Sequence, residues 1–152
     1  MSICSILSLN TYSQNTPSYP LPKENFKRVD FKLPKIDNPE NYKVEITFSM
    51  EANVVECSDT DFNFNKNNIE TGYGVGNSRF PYYIFNVNGV DLFQGYNGDC
   101  NKDKPKITKK IYSNYKNIDN YHYAFPIPYY IPKNWNLEYR IFKAEAEYQI
   151  LK

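Results

Sequence analysis

Apolar and polar residues alternate in short runs along most of the chain. Tyr42, Val44, Ile46 and Phe48 interleave with Lys43, Glu45 and Thr47, the period of a strand with one buried face. Ile107, Lys109 and Ile111 share that spacing, and Leu137, Tyr139 and Ile141 alternate with Glu138, Arg140 and Phe142. Phe125, Ile127, Tyr129 and Ile131 line one face of a further run. Pro126 and Pro128 within it predict a sheet edge, because proline cannot donate to a ladder. Tyr82-Tyr83-Ile84-Phe85 is continuous and apolar, which predicts a central strand. Ten prolines and 15 tyrosines disfavour helix almost everywhere. The helix-forming stretch Lys143-Ala144-Glu145-Ala146-Glu147 is too short to stand alone. Strands at this spacing with no helices between them predict an all-β, single-domain antiparallel barrel or sandwich.

Composition sharpens this picture in three places. Hydrophobic residues make up 41% of 152, enough for one core and against global disorder. Eighteen Lys and Arg against 17 Asp and Glu leave a formal charge of +1, which gives no electrostatic footprint for nucleic acid. The local run Lys102, Lys104, Lys106, Lys109 and Lys110 reads as a solvated, edge-protecting hairpin. Ile3 to Leu9 is apolar but too short to span a bilayer. It resembles the hydrophobic part of an export signal, with Thr11-Tyr12-Ser13 as a weak cleavage site and no charged leader. Residues 1–13 are therefore expected to be a truncated signal or disordered tail, and 14–152 the folded domain. If Cys4 leaves with that segment, Cys57 and Cys100 remain as an even pair. A disulfide and two buried free thiols are both open on spacing alone.

Enzyme chemistry finds little support. His122 is the single histidine, no Gly-x-Ser-x-Gly elbow exists, and a zinc site would need more His or Cys. Between Tyr121 and Tyr123, His122 reads as a loop or rim residue. Asp59, Asp61, Asn63, Asn65 and Glu70 match ligand positions of an EF-hand loop, but Phe64 stands where glycine is required. An Asx-rich loop is the expectation there. Gly72-Tyr73-Gly74-Val75-Gly76 lacks the Lys-Ser or Lys-Thr of a phosphate loop, and a flexible loop tip is expected. No cofactor or metal is expected.

Tyr19-Pro20, Phe26-Lys27-Arg28, Cys57, Gly72-Tyr73-Gly74, Tyr82-Tyr83-Ile84-Phe85, Cys100 and Tyr139 to Glu145 follow one another in that order, and together they resemble the ecotin family. Tyr19-Pro20 with Phe26-Lys27-Arg28 is similar to its opening, and Lys43-Val44-Glu45 followed by Val55-Glu56-Cys57 to the strand before its first disulfide cysteine. Gly72-Tyr73-Gly74 resembles its Gly-Trp-Gly loop, and Tyr82-Tyr83-Ile84-Phe85 its Tyr-Tyr-Val-Phe strand. Cys100 falls at its second disulfide cysteine. Pro126, Tyr130, Pro132 and Tyr139 to Glu145 match its C-terminal block, with Phe142 for the usual Trp.

The resemblance implies an ecotin-type fold with long surface loops and a Cys57–Cys100 disulfide. It also implies a secreted or periplasmic inhibitor of chymotrypsin-, trypsin- or elastase-type serine peptidases that is not an enzyme. Ecotins are homodimers in which the C-terminal strand is exchanged; here that would be Leu137 to Leu151, which shows no obvious intramolecular partner in the sequence. The reactive loop would lie between Phe85 and Cys100. Family spacing puts Asn97 in the S1 pocket, whereas pocket chemistry favours Tyr96; Gly98 flanks them. This loop is slightly longer than the pattern and lacks the family's Ser-Thr-Met-Met stretch. Ser58 to Asn67 would support it, through Asp59, Asp61 and Phe62. The secondary peptidase site would use Gly72, Tyr73 and Gly74 with Asn120, His122 and Ala124, where family members usually carry basic residues. The competing function is a carbohydrate- or surface-binding β-module, since exposed tyrosines would serve sugars too. No nucleic-acid or membrane partner is expected.

Overall fold

The computed structural model describes residues 18–75, 80–87 and 91–143. The expected signal segment, and the helix-forming stretch beyond Lys143, lie outside these residues. Ten strands follow one another: β1 (Phe26–Phe31), β2 (Tyr42–Val55), β3 (Asp59–Asn63), β4 (Ile69–Tyr73), β5 (Pro81–Phe85), β6 (Asp91–Gly95), β7 (Lys106–Tyr112), β8 (Asn117–Asn120), β9 (Ile127–Pro132) and β10 (Trp135–Lys143). The fold is all-β, with only two single-turn 3-10 helices, Pro39–Asn41 and Lys66–Asn68, among the described residues. One sheet has the order β1-β9-β5-β4 and another the order β10-β2-β7, with β8 also on β2. β3 and β6 form a separate pair. Every ladder is antiparallel except β5 with β9.

β2 organises the molecule. Its predicted alternation puts Val44, Ile46, Phe48 and Met50 in the core. Phe48 meets Phe85 edge-on at 4.5 Å between ring centroids, and Trp135 packs on Phe62 at 5.0 Å. These aromatics and Ile131 are fully or almost fully buried, and each such ring contributes several kcal/mol when transferred from water. The other face of β2 carries a buried carboxylate, Glu45, which receives the Arg140 guanidinium at 2.9 Å. A buried charge needs such a partner.

Two expectations change. β5 is central as predicted, but β9 is central too and not an edge. Pro128 is buried and registers with Asp30 of β1, while the parallel ladder to β5 registers only at Tyr129 and Tyr130. The proline therefore stands outside the β5 ladder, and its missing N–H costs that ladder nothing. The C-terminal strand also has a partner in its own chain. β10 registers with β2 from Trp135↔Met50 to Lys143↔Tyr42. Among the described strands its outer edge is unpaired.

Candidate functional site

Two surface clusters come out of this fold, and strand ends build both. In the first, β3 and β6 pair with Asp59 opposite Gly95 and Asp61 opposite Phe93. Chain leaving Gly95 runs through Tyr96 into a turn in which Cys100 N–H donates to the Asn97 carbonyl at 3.1 Å. Gly98 has φ +60° there, and it is the only residue of the turn in the left-handed region. A type I′ turn centred on Asn97-Gly98 would need positive φ at both residues; the chain instead places glycine at the first central position of a turn one residue later. Cys100 is bonded to Cys57, with Cα atoms 5.7 Å apart. The segment from Tyr96 to Asp99 is thus tied to β6 at one end and to the disulfide at the other.

The Cys57 side is itself held in place. Glu56 N–H donates to the Pro105 carbonyl, and Ser58 donates to Val55 through both its N–H and its hydroxyl. Lys109 lies on the β7 face that reads as half-buried, and its ammonium donates to the carbonyls of Glu56 and Ser58 at 3.0 and 3.1 Å. These contacts hold the Cys57 side of the bond in addition to the disulfide. Tyr96 is 42% exposed, and Asn97, Gly98 and Asp99 are exposed beside it. Asp59 and Asp61 are exposed on β3, but Phe62 is 0% exposed on Trp135. Phe62 therefore supports this region from inside and touches no partner. Phe93, 61% exposed opposite Asp61, is a large solvent-facing ring that the sequence reading did not single out. Alternation with the inward Leu92 was the available signal, since Leu92 pairs with Phe62. Asp59, Asp61 and Asn63 lie on extended β3 and Glu70 on β4, so the EF-hand spacing is not carried by a single loop.

The second cluster joins two segments. Gly72 is not a loop tip: it lies in β4 opposite Tyr82, whose ring crosses it. A Cβ at Gly72 would sit 2.2 Å from Tyr82 Cζ, so only glycine fits unless that ring moves. Tyr82 is wedged between Tyr19 and Tyr130, with ring centroids at 6.0 and 5.6 Å. Gly74 N–H donates to the Phe80 carbonyl and Val75 N–H to the Ser18 carbonyl, each at 3.0 Å. Phe80 then packs on Phe125 at 4.7 Å, and Phe125 on His122 at 4.8 Å. Through these rings the Gly72–Gly74 end of β4 meets the turn that carries Asn120, His122 and Ala124. Tyr73, His122 and Ala124 are exposed, Gly74 is buried, and Asn120 accepts a hydrogen bond from the Lys43 ammonium. Sequence reading also missed Asp119, which lines the adjoining cavity with Asn120 and His122.

An anchored exposed loop, a disulfide at its base and a glycine-aromatic strand end packed on a histidine turn occur here in one all-β chain. The family model for ecotin matches residues 15–144. The chain belongs to the ecotin family. No curated protein matches it. Ecotins are serine peptidase inhibitors, not enzymes, and are typically periplasmic or secreted. No helix among the described residues of this ecotin is long and apolar enough to cross a membrane. The Cys57–Cys100 disulfide implied by the resemblance is present.

Proposed function

We propose that this ecotin inhibits chymotrypsin-fold serine peptidases by laying the segment from Gln94 to Asp99 into the cleft as a substrate-like strand. The observation that supports this best is the exposed loop held between β6 and the Cys57–Cys100 bond. A loop restrained at both ends loses little entropy on binding, and its main chain can pair as an added strand. A peptide bond cut within it keeps both ends in place, so the products do not leave and religation competes with release. Asn97 fills S1 on family spacing. Tyr96 is the alternative, a large apolar ring already turned to solvent. Asp59, Asp61 and the exposed Phe93 flank the loop as secondary contacts.

The dimer partner supplies the second grip, through Tyr73, Asn120, His122 and Ala124, with Gly72 and Gly74 shaping that end of the sheet. Exchange of the C-terminal strand makes the dimer, a low-cost route to a symmetric assembly. The unpaired outer edge of β10, with Tyr139, Ile141 and Phe142 exposed, supports this reading. The protein acts outside the cytoplasm, secreted or periplasmic, where its disulfide persists.

Asn97→Ala and Tyr96→Ala test the loop. A side chain filling S1 is an interface hot spot, so the true S1 residue should cost about 2 kcal/mol or more when truncated, and the other much less. Slow nicking by a sensitive peptidase names the same residue. Cleavage only outside Phe85 to Cys100 rejects the loop.

A further inference from the structure

Between the two larger sheets, next to Asn120 and His122, lies a cavity of about 400 Å³. Its walls are aromatic and aliphatic, with Phe31, Tyr83, Phe125 and Tyr129 prominent. Asp119 is the single Asp, Glu, Lys or Arg among the described residues that line it.

Strand register explains how a carboxylate comes to be there. Asp119 of β8 stands opposite Val44 of β2, and Asn117 opposite Ile46. Both β2 residues are core, and directly paired residues share a face of the sheet. β8 is exposed along its whole length, and this register sets Asp119, still open to water, on the same face as Val44 and Ile46. The nearest cation in register, Lys43, pairs with Asn120 and donates to its side chain, which also lines the cavity. Asp119 Oδ1 accepts the Asn120 backbone N–H at 2.7 Å, and no cation pairs with it among the described residues.

A carboxylate facing aromatic rings complements an organic cation. A guanidinium stacks on such rings and pairs with the carboxylate in its own plane. A neutral apolar guest would strip water from Asp119 and return nothing. We infer that this cavity binds a guanidinium group, and that its occupant is an arginine side chain on the surface of the bound peptidase. The choice of occupant rests on the inhibitory function proposed above. Burial raises the phenols of Tyr83 and Tyr129 above their ordinary values, and the charge of Asp119 adds to both shifts. The carboxylate's field thus reaches the rings that would stack on the cation. This chain would accordingly select peptidases with a basic surface at that contact.

The probe is N-acetyl-L-arginine N-methylamide, titrated into the full chain and followed by amide shifts in two-dimensional NMR. Its neutral citrulline counterpart serves as control. The arginine probe should give saturable shifts at Tyr83, Asp119 and Tyr129, and the citrulline probe should bind at least tenfold more weakly. Asp119→Asn should weaken the arginine probe about tenfold and leave the citrulline probe unchanged, with the same spectra showing that the fold persists. Equal affinity for the two probes, or shifts confined to other residues, overturns the site. Peptidase inhibition without probe binding also overturns it while leaving the inhibitory function intact. Probe binding by a protein that inhibits no peptidase keeps the guanidinium site and overturns the assignment of its occupant.

Discussion

Opening the disulfide is a perturbation whose size follows from the structure. Cys57 and Cys100 are 43 residues apart. Closing a loop of that length removes about 13 cal/mol/K from the unfolded chain, or about 4 kcal/mol at 25 °C. In a domain of this size each kcal/mol moves the thermal midpoint by about 3 °C, so Cys57→Ser combined with Cys100→Ser should lower it by about 12 °C. The folded state should change little. The turn around Cys57 is also held by hydrogen bonds to Pro105, Val55 and Lys109, and these should persist when the bond is removed. The effect therefore belongs to the unfolded ensemble, and the urea m-value should rise because the uncrosslinked chain exposes more surface. Urea unfolding of both proteins, with amide spectra of the native states, is the assay. A loss below about 1 kcal/mol would refute the chain-entropy reasoning. A larger loss with an unchanged m-value and shifted amides across β3 and β6 would place the effect in the native state.

Gly72→Ala should destabilise by about 1–3 kcal/mol, because the new methyl must displace a Tyr82 ring held by Tyr19 and Tyr130; urea unfolding measures it, and a neutral result would mean that the ring moves freely. Burial opposes ionisation of Glu138, but hydrogen bonds from Lys110 and Ser49 outweigh it and hold the carboxyl below its ordinary value. A depressed carboxyl contributes stability that is present above its unfolded pKa and lost as pH falls through the folded one. Glu138→Gln should therefore flatten the acid limb of the stability profile, and an unchanged limb would remove Glu138 from the account. Deleting the residues after Lys143 should turn a dimer into a monomer in light scattering. A monomeric full chain at micromolar concentration would contradict strand exchange.

Strands with strict alternation were legible in the sequence because their pattern is local. β2, β7 and β10 fall where the period placed them. Pairing is not local, and the misreadings lie there. Pro128 looks like an edge marker until it is clear that the β5 ladder never uses its position. Gly72 looks like a loop until Tyr82 arrives from the next strand to cover it. Phe62 sits in an Asp- and Asn-rich stretch, yet its ring meets Trp135 from the far end of the chain. The cysteine pairing stayed open on spacing and came from the family resemblance, which the disulfide matches. Asp119 was invisible in the sequence, because only the register with Val44 sets it on the face of the cavity.

Inhibition itself is tested by titrating peptidase activity with the purified protein. Trypsin, chymotrypsin and elastase, each at fixed concentration, receive increasing amounts of the ecotin. At least one of them should lose activity linearly, reaching zero near one protomer per peptidase molecule. Full activity of all three in micromolar excess of the protein, together with its retention on a glycan column, would contradict the account and favour a carbohydrate-binding module.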